Sequence, residues 1–146
     1  MRLPRSLIDS GFRSLNLLHR TVLRVTRRRL GASAFGMPMV ELHTTGRKSG
    51  LERTVILASP VTRGSSLVLV ASKGGDDRNP EWFENLVVHP DVEITVGTMR
   101  RPMRARVATA EEASELWPQV IASYRSYASY QRRAHREIPL VLCDPR

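Results

Sequence analysis

The chain has 146 residues, of which 41% are hydrophobic, and its 23 basic and 14 acidic side chains give a net charge of +9. These values fit one domain with a hydrophobic core, and the sequence contains neither an apolar stretch long enough to span a bilayer nor the apolar run of a secretory signal. We therefore expect a cytoplasmic protein whose partner or substrate is anionic: nucleic acid, an acidic membrane surface or a polyanionic cofactor.

Residues 5–30 form a predicted basic amphipathic helix. Apolar residues recur at steps of four and three, which places them on one helical face opposite the arginines. The apolar positions are Ile8, Phe12, Leu15, Leu18, Val22 and Val25, and the basic ones are Arg13, Arg20, Arg24 and Arg27. Two hypotheses remain open: the helix packs on the domain, or it lies on an anionic membrane surface at the inner face of the cell membrane. The helix and its linker form a predicted unit of residues 1–36, followed by a domain of residues 37–146.

The middle of the chain has the pattern of a small, mainly antiparallel barrel or sandwich. Short strand-like segments follow one another, separated by turn residues and too close together for a helix between every pair. The predicted strands are residues 39–45, 52–59, 66–71, 92–96, 102–109 and 138–143. With helices in the same chain, the predicted fold class is α+β.

A candidate ligand loop, Ala71-Ser72-Lys73-Gly74-Gly75, follows one of these strands and precedes a predicted helix. Two glycines allow the backbone to approach a ligand or to adopt positive φ. Asn79 suits the N-cap of the helix and Pro80 its first position, and a helix start offers unpaired N–H groups to an anion. The stretch suggests a bound anionic ligand, with an ordinary loop as the alternative.

A second helix is predicted after Thr109, which forms a capping box with Glu112. Pro118 lacks a backbone donor and should kink or restart this helix. The three tyrosines of the chain follow at steps of three residues: Tyr124, Tyr127 and Tyr130. This spacing keeps them on one side of a helix, either as packing residues or as part of a site.

The segment Thr44-Thr45-Gly46-Arg47-Lys48-Ser49-Gly50 contains the residue types of a phosphate loop but lacks the spacing of a Walker motif. As a turn between two strands, its Arg47, Lys48 and Ser49 side chains and its backbone N–H groups could converge on a phosphate. A plain basic hairpin turn is the alternative.

Other site classes have less support. The four histidines stand singly without ligand spacing, so we expect no metal site, and we interpret His43 as structural. Cys143, in an apolar run, is expected in the core rather than as a nucleophile. Nucleic-acid binding agrees with the charge, but no helix-turn-helix, zinc-finger or aromatic-basic strand signature is present.

Five motifs in order, T-T-G-R-K-S-G, A-S-K-G-G, N-P-x-W-x-x-N-L, W-P and Y-x-x-Y-x-x-Y, resemble the deazaflavin-dependent nitroreductase family of actinobacteria. They occupy residues 44–50, 71–75, 79–86, 117–118 and 124–130. The resemblance covers about residues 38–145, so the N-terminal helix lies outside its best-matched part.

The resemblance implies a split β-barrel enzyme that binds reduced coenzyme F420, a deazaflavin with a phosphate and an oligoglutamate tail, and transfers a hydride to a quinone-like or nitroaromatic acceptor. The implied cofactor-binding residues are Arg47, Lys48, Ser49, Gly50, Ala71, Ser72, Lys73, Gly74, Gly75 and Trp82. The implied catalytic residues, which would orient the acceptor or donate a proton, are Tyr130, Tyr127, Tyr124 and Ser72. Such a cofactor accounts for positive charge without nucleic acid.

One departure from the family pattern concerns the acceptor. Some members carry an aromatic residue near the end of the second strand, where this chain has Ala58-Ser59-Pro60. We therefore expect a wider or more polar pocket, which argues against nitroimidazole reduction more than against coenzyme binding. The alternative functions are a non-enzymatic F420 carrier and a basic nucleic-acid-binding module, and the sequence identifies neither the physiological acceptor nor the oligomeric state.

Overall fold

A computed structural model describes residues 33–34 and 37–146 of the chain. The predicted helix of residues 5–30 lies outside these residues. Its two possible roles, packing on the domain or binding a membrane surface, and the division at residue 36 therefore stay predictions. Among the residues described, no helix has both the length and the apolar character needed to cross a membrane.

The described residues form eight strands and three α-helices. The strands are β1 (Ser33–Ala34), β2 (Met37–Thr45), β3 (Glu52–Ala58), β4 (Val61–Arg63), β5 (Ser66–Val70), β6 (Asp91–Val96), β7 (Met99–Val107) and β8 (Leu140–Pro145). The helices are α1 (Glu81–Val88), α2 (Ala110–Ser123) and α3 (Ser126–Arg133), and a 3-10 turn covers Lys73–Gly75.

The strands form one curled antiparallel sheet in the order β1-β2-β6-β7-β8-β5-β4, with β3 also paired to β2. Within the described residues β3 and β4 do not pair with each other, so the sheet curls without complete closure. The predicted α+β split β-barrel is confirmed.

The barrel interior is filled by alternate residues of the strands, since successive side chains point to opposite faces. The strands supply Val40, Leu42, Leu69, Val92, Ile94, Met103, Ala105, Val141 and Cys143, and α1 adds Trp82, Phe83 and Leu86. Burial raises the pKa of the Cys143 thiol to about 12, which keeps it protonated. Cys143 is therefore a core residue, as predicted.

A second apolar cluster fixes α2 and α3 on the outer face of β4, β5 and β8. The strand residues Val61, Val68, Val70, Leu140 and Leu142 alternate with those that face the barrel interior, and they pack against Leu116, Val120 and Tyr127. This cluster holds α3 beside the end of β5, where the Ser-Lys-Gly-Gly segment begins.

Several predicted boundaries need correction. β4 was not predicted, because three residues are too few to show an alternating pattern. β7 begins at Met99 rather than at residue 102. Helix α1 has Pro80 rather than Asn79 at its N-cap position, because the Asn79 side chain accepts a hydrogen bond from Arg136 instead.

Helix α2 has the predicted capping box, in which Thr109 accepts from the Glu112 N–H and the Glu112 carboxylate accepts from the Thr109 N–H. Pro118 was expected to kink or restart this helix, but it lies inside one continuous helical segment. Tyr124 caps α2, and the other two tyrosines belong to α3.

Candidate functional site

Residues 71–80, here called the β5–α1 loop, contain three consecutive residues with positive φ: Lys73 at 46°, Gly74 at 62° and Gly75 at 86°. Lys73 is the one non-glycine residue of this kind in the part of the chain that the structure describes. A left-handed residue other than glycine costs about 1–2 kcal/mol, and such strain is concentrated at functional sites.

The backbone at Ser72 and Lys73 has the geometry of an anion-binding nest. Ser72 is right-handed, with φ −79° and ψ −38°, and Lys73 has left-handed φ. A right-handed residue followed by a left-handed one turns successive N–H groups into the same concavity, which attracts anions. The Lys73 ammonium adds a full positive charge at this position.

The β5–α1 loop rests directly on helix α3. A Cβ added to Gly75 would lie 2.9 Å from the Tyr130 carbonyl oxygen and 3.2 Å from the Arg133 Cβ, so only glycine fits this approach. The Arg133 guanidinium donates a 3.1 Å hydrogen bond to the Gly74 carbonyl. Sequence reasoning missed Arg133, which is part of an ordinary run of basic residues.

The three tyrosines form an edge-to-face series beside this loop. Ring centroids lie 5.4 Å apart for Tyr124 and Tyr127 and 5.9 Å apart for Tyr127 and Tyr130. Tyr127 is only 7% exposed, within the second apolar cluster, and burial raises its pKa to about 12. The structure therefore makes Tyr127 the packing member of the three.

Tyr124 and Tyr130 are half-buried and joined by a side-chain hydrogen bond. Burial, followed by this hydrogen bond, raises the pKa of Tyr130 above its usual value of 10.0. The Tyr130 hydroxyl is therefore protonated at neutral pH.

The predicted basic turn lies between β2 and β3 and covers residues 46–51. Asn85 of α1 fixes it: its side-chain oxygen accepts from the Arg47 backbone N–H at 3.1 Å and from the Arg47 guanidinium at 2.9 Å. Asn85 is only 5% exposed, and its amide donates to Thr44 at 3.4 Å. We had assigned no role to Asn85. Its position as a polar residue on the otherwise apolar face of α1 could have indicated one.

The turn presents Lys48, Ser49 and Gly50 to solvent. The Ser49 hydroxyl accepts the Leu51 N–H at 3.2 Å, and Gly50 has φ +71°. These three residues are therefore accessible to a ligand.

Positive charges of the β2–β3 turn and of the β5–α1 loop both act on Glu81, the first residue of helix α1. Arg47 donates a 2.8 Å hydrogen bond to the Glu81 carboxylate, and this bond lowers the Glu81 pKa, with further attraction from Arg47, Lys48 and Lys73. Positive charges from two segments that lie about 25 residues apart in sequence thus act on one carboxylate in the first turn of α1.

Other predicted residues occupy different settings. Trp82 is 7% exposed and packs edge-to-face with Phe83 in the barrel core, so its contact with a cofactor stays a prediction. The Ser59 hydroxyl, in a residue 1% exposed, donates to the Val68 carbonyl. The hydroxyl is therefore engaged with β5, which does not favour a more polar pocket at Ser59, and a wider acceptor pocket stays a prediction.

His43 is a structural residue, as we interpreted it. Its ring is buried and bonded to Thr54 at 2.9 Å and to Thr95 at 2.8 Å, which joins β3, β2 and β6. Among the residues described, no group of three or more His, Cys, Asp and Glu side chains is arranged to hold a metal ion.

Comparison with protein families matches residues 17–145 to the F420H(2)-dependent quinone reductase family. The F420H(2)-dependent quinone reductase Rv1261c of Mycobacterium tuberculosis is 38% identical over 133 residues, which cover 88% of this chain and 89% of the relative.

Two solved structures are similar. The F420-H2 dependent reductase FDR-A has a TM-score of 0.66 and 36% identity, with 73% of this chain and 94% of the other covered. A chain described as a domain-swapped dimer has a TM-score of 0.68 and 30% identity, with 90% and 99% covered.

Proposed function

Because the chain belongs to the F420H(2)-dependent quinone reductase family, we propose that the β5–α1 loop, the β2–β3 turn and helix α3 together form its coenzyme F420 site. The protein is an oxidoreductase that uses reduced coenzyme F420 to reduce quinones. The proposal concerns which residues hold the coenzyme, which residues serve the acceptor and where in the cell the acceptor is met.

The observation that carries this proposal is that Arg47 bonds Glu81 at the start of α1, while Lys48 and Lys73 attract the same carboxylate. A coenzyme with a phosphate and a carboxylate-rich tail requires clustered cations and amide donors, and the nest at Ser72 and Lys73 adds backbone N–H groups to the three side chains. The donor set of this chain therefore fits coenzyme F420.

Each cofactor-binding residue has a distinct role in the proposal. Arg47, Lys48, Ser49 and Gly50 hold the phosphate at the β2–β3 turn, and the loop from Ala71 to Gly75 lies along the ring system. Trp82, in the barrel core, supports the loop and the turn from below. Asn85 presents the turn, because it bonds the Arg47 backbone and side chain together.

When bound, reduced coenzyme F420 supplies the hydride, and the protein provides orientation and electrostatics. The Lys73 ammonium and the backbone N–H groups of the loop stabilise negative charge on the ring. The Gly75 backbone fits closely against α3, and Arg133 of α3 donates a hydrogen bond to the Gly74 carbonyl, so the helix backs this part of the loop.

Tyr130 and Tyr124 serve the acceptor in this proposal. A quinone that accepts a hydride also needs one proton to become a hydroquinone, and the Tyr130 hydroxyl, beside the β5–α1 loop, is the proposed donor. Ser72 is a further candidate donor beside the loop. Tyr127, whose ring contacts both other tyrosines, holds them in position rather than meeting the acceptor.

A peripheral membrane location through residues 5–30 remains part of the proposal. Its support is the amphipathic pattern of that segment, with arginines opposite an apolar face. A protein without residues 1–30 should bind anionic vesicles less than the full chain while its affinity for coenzyme F420 is retained. Equal vesicle binding by the two proteins would contradict a membrane role.

A direct test of the proposed function titrates the protein with oxidised coenzyme F420 and follows its fluorescence, and then adds quinones or nitroaromatic compounds to the reduced complex. We expect saturable quenching, followed by oxidation of the coenzyme by a quinone. Binding without turnover on any quinone would favour a carrier, and absence of binding would contradict the proposed site.

A further inference from the structure

Arg136 lies in the linker between α3 and β8, outside the motifs that predicted the site. Its guanidinium lies within hydrogen-bond distance of five acceptors, three of which share the two hydrogens of Nη2, and all five belong to the β5–α1 loop. The acceptors are the backbone carbonyls of Ala71, Ser72, Asp76 and Arg78, at 3.0 to 3.3 Å, and the side-chain oxygen of Asn79, at 2.8 Å.

These contacts require the shape of an arginine side chain. The guanidinium carries five N–H donors in a rigid planar fork, whereas lysine has three donors on one atom. The bonds from Arg136 to Ala71 and Asn79 join the end of β5 to the residue just before the α1 N-cap. One side chain therefore fixes both ends of the loop.

The bonds also determine which way the loop peptides face. No peptide bond in the described residues is cis, and in a trans peptide the C=O and N–H groups point in opposite directions. The carbonyls of Ala71 and Ser72 point to Arg136, so the N–H groups of Ser72 and Lys73 point away from it. These are N–H groups of the anion-binding nest.

We propose that Arg136 is a positioning residue for coenzyme F420: it holds the loop peptides so that the N–H groups of Ser72 and Lys73 face the coenzyme, and it does not contact the coenzyme itself. This inference rests on the proposed F420 site. Neighbouring contacts from the same region act on the loop in the same way, since the His135 N–H donates to Asp77 at 2.8 Å and Arg133 to Gly74 at 3.1 Å.

A purely structural role is the competing explanation, and a matched control separates the two. Arg106 also joins distant segments, because it donates to Glu112 of α2 and Asp144 of β8, but it has no recorded bond to the β5–α1 loop. Arg136→Gln and Arg106→Gln each remove one guanidinium and several hydrogen bonds. Both should lower the melting temperature.

The first measurement is hydrogen–deuterium exchange of residues 71–80 without coenzyme. We expect faster exchange there in Arg136→Gln and wild-type exchange in Arg106→Gln. Arg136→Lys, which keeps the charge and stem, covers the case in which the glutamine variant does not fold, and it should show intermediate exchange. Wild-type exchange in a folded Arg136 variant would overturn the proposal.

The second measurement is the affinity for oxidised coenzyme F420, read by fluorescence quenching well below the melting temperature. We expect Arg136→Gln to bind about ten- to a hundredfold more weakly, the same range as the loss on removing residues that orient metal ligands. The KM for reduced coenzyme should rise more than the KM for the quinone, and Arg106→Gln should leave both KM values unchanged.

Equal losses of coenzyme affinity in the two variants would make Arg136 merely structural. If the wild-type protein does not bind the coenzyme, the proposed function fails, while loop exchange still reports on Arg136.

Discussion

Gly75 and Tyr130 are in backbone contact, so close that a Cβ on Gly75 would lie 2.9 Å from the Tyr130 carbonyl oxygen and 3.1 Å from its Cα. This contact joins the loop proposed to bind the coenzyme to the helix that carries the tyrosines. Because it is made by backbone atoms, the distance between the two parts of the site does not depend on side-chain rotamers.

Gly75→Ala tests this contact, with Gly64→Ala as the matched control. Both glycines have positive φ, but nothing lies within 4 Å of a Cβ at Gly64. Gly64→Ala should cost about 1–2 kcal/mol of unfolding free energy from backbone strain alone. Gly75→Ala adds a clash that should cost about 1–3 kcal/mol more, and it should weaken F420 binding. Equal coenzyme affinity in the two variants would show that the contact does not shape the site.

Lys73→Ala should weaken coenzyme binding by about 1.5–3 kcal/mol, the scale of a hydrogen bond to a charged group, or roughly ten- to a hundredfold. Salt should weaken binding to the wild type more than to the variant, because the variant has lost one screened attraction. Arg101→Ala controls for net charge, because it removes an exposed cation near the start of β7, outside the proposed site. Fluorescence titrations at two salt concentrations measure both effects, and wild-type affinity in Lys73→Ala at low salt would remove the loop from the site.

Tyr130→Phe should reduce turnover by about 100-fold, the lower end of the range for general acid catalysis, and leave coenzyme affinity close to wild type. Phenylalanine keeps the ring contact with Tyr127 and removes only the hydroxyl. Tyr127→Phe should reduce turnover less, since that residue is buried. Steady-state rates with reduced coenzyme and a quinone test this, and unchanged turnover in Tyr130→Phe would direct attention to Tyr124 and Ser72.

The Arg106–Glu112 ion pair predicts a pH dependence of stability that is separate from the site. Hydrogen bonds from Arg106 lower the pKa of Glu112 from 4.5 to about 2. A carboxylate with a lowered folded-state pKa stabilises the fold above its unfolded pKa, and this contribution is lost as pH falls through the folded value. Glutamine preserves the capping box, so the stability difference between wild type and Glu112→Gln should shrink as pH falls from about 4.5 to about 2. Denaturant unfolding at several pH values measures this difference in unfolding free energy. A difference that does not change with pH would contradict this assignment.

The two segments predicted from sequence, residues 44–50 and 71–75, could be found because glycine and clustered cations are local signals. No local pattern indicated that the charges of both segments act on the start of α1, since that relation depends on the curled sheet. The roles of Asn85 and Arg136 were missed for the same reason. Asn85 acts on Arg47 from 38 residues away, and Arg136 acts on Ala71 from 65 residues away.

Local rules failed where tertiary contacts outweighed them. Asn79 has the side chain of a good N-cap, but its oxygen binds the Arg136 guanidinium at 2.8 Å, a charge-assisted bond that is stronger than a neutral cap. Ser59 was expected to open the acceptor pocket, but its hydroxyl is bonded to β5. In both cases a partner distant in sequence decided the role of a polar side chain.

The central claim, that the coenzyme lies between the β5–α1 loop, the β2–β3 turn and α3, is tested most directly by hydrogen–deuterium exchange of the wild-type protein with and without oxidised coenzyme F420. The account predicts slower exchange in residues 46–51 and 71–78 when the coenzyme is present, together with protection of residues 124–133. Protection confined instead to the pocket lined by Ser65, Leu67, Ile94, Val96, Met99, Arg101, Met103 and Pro145 would contradict it.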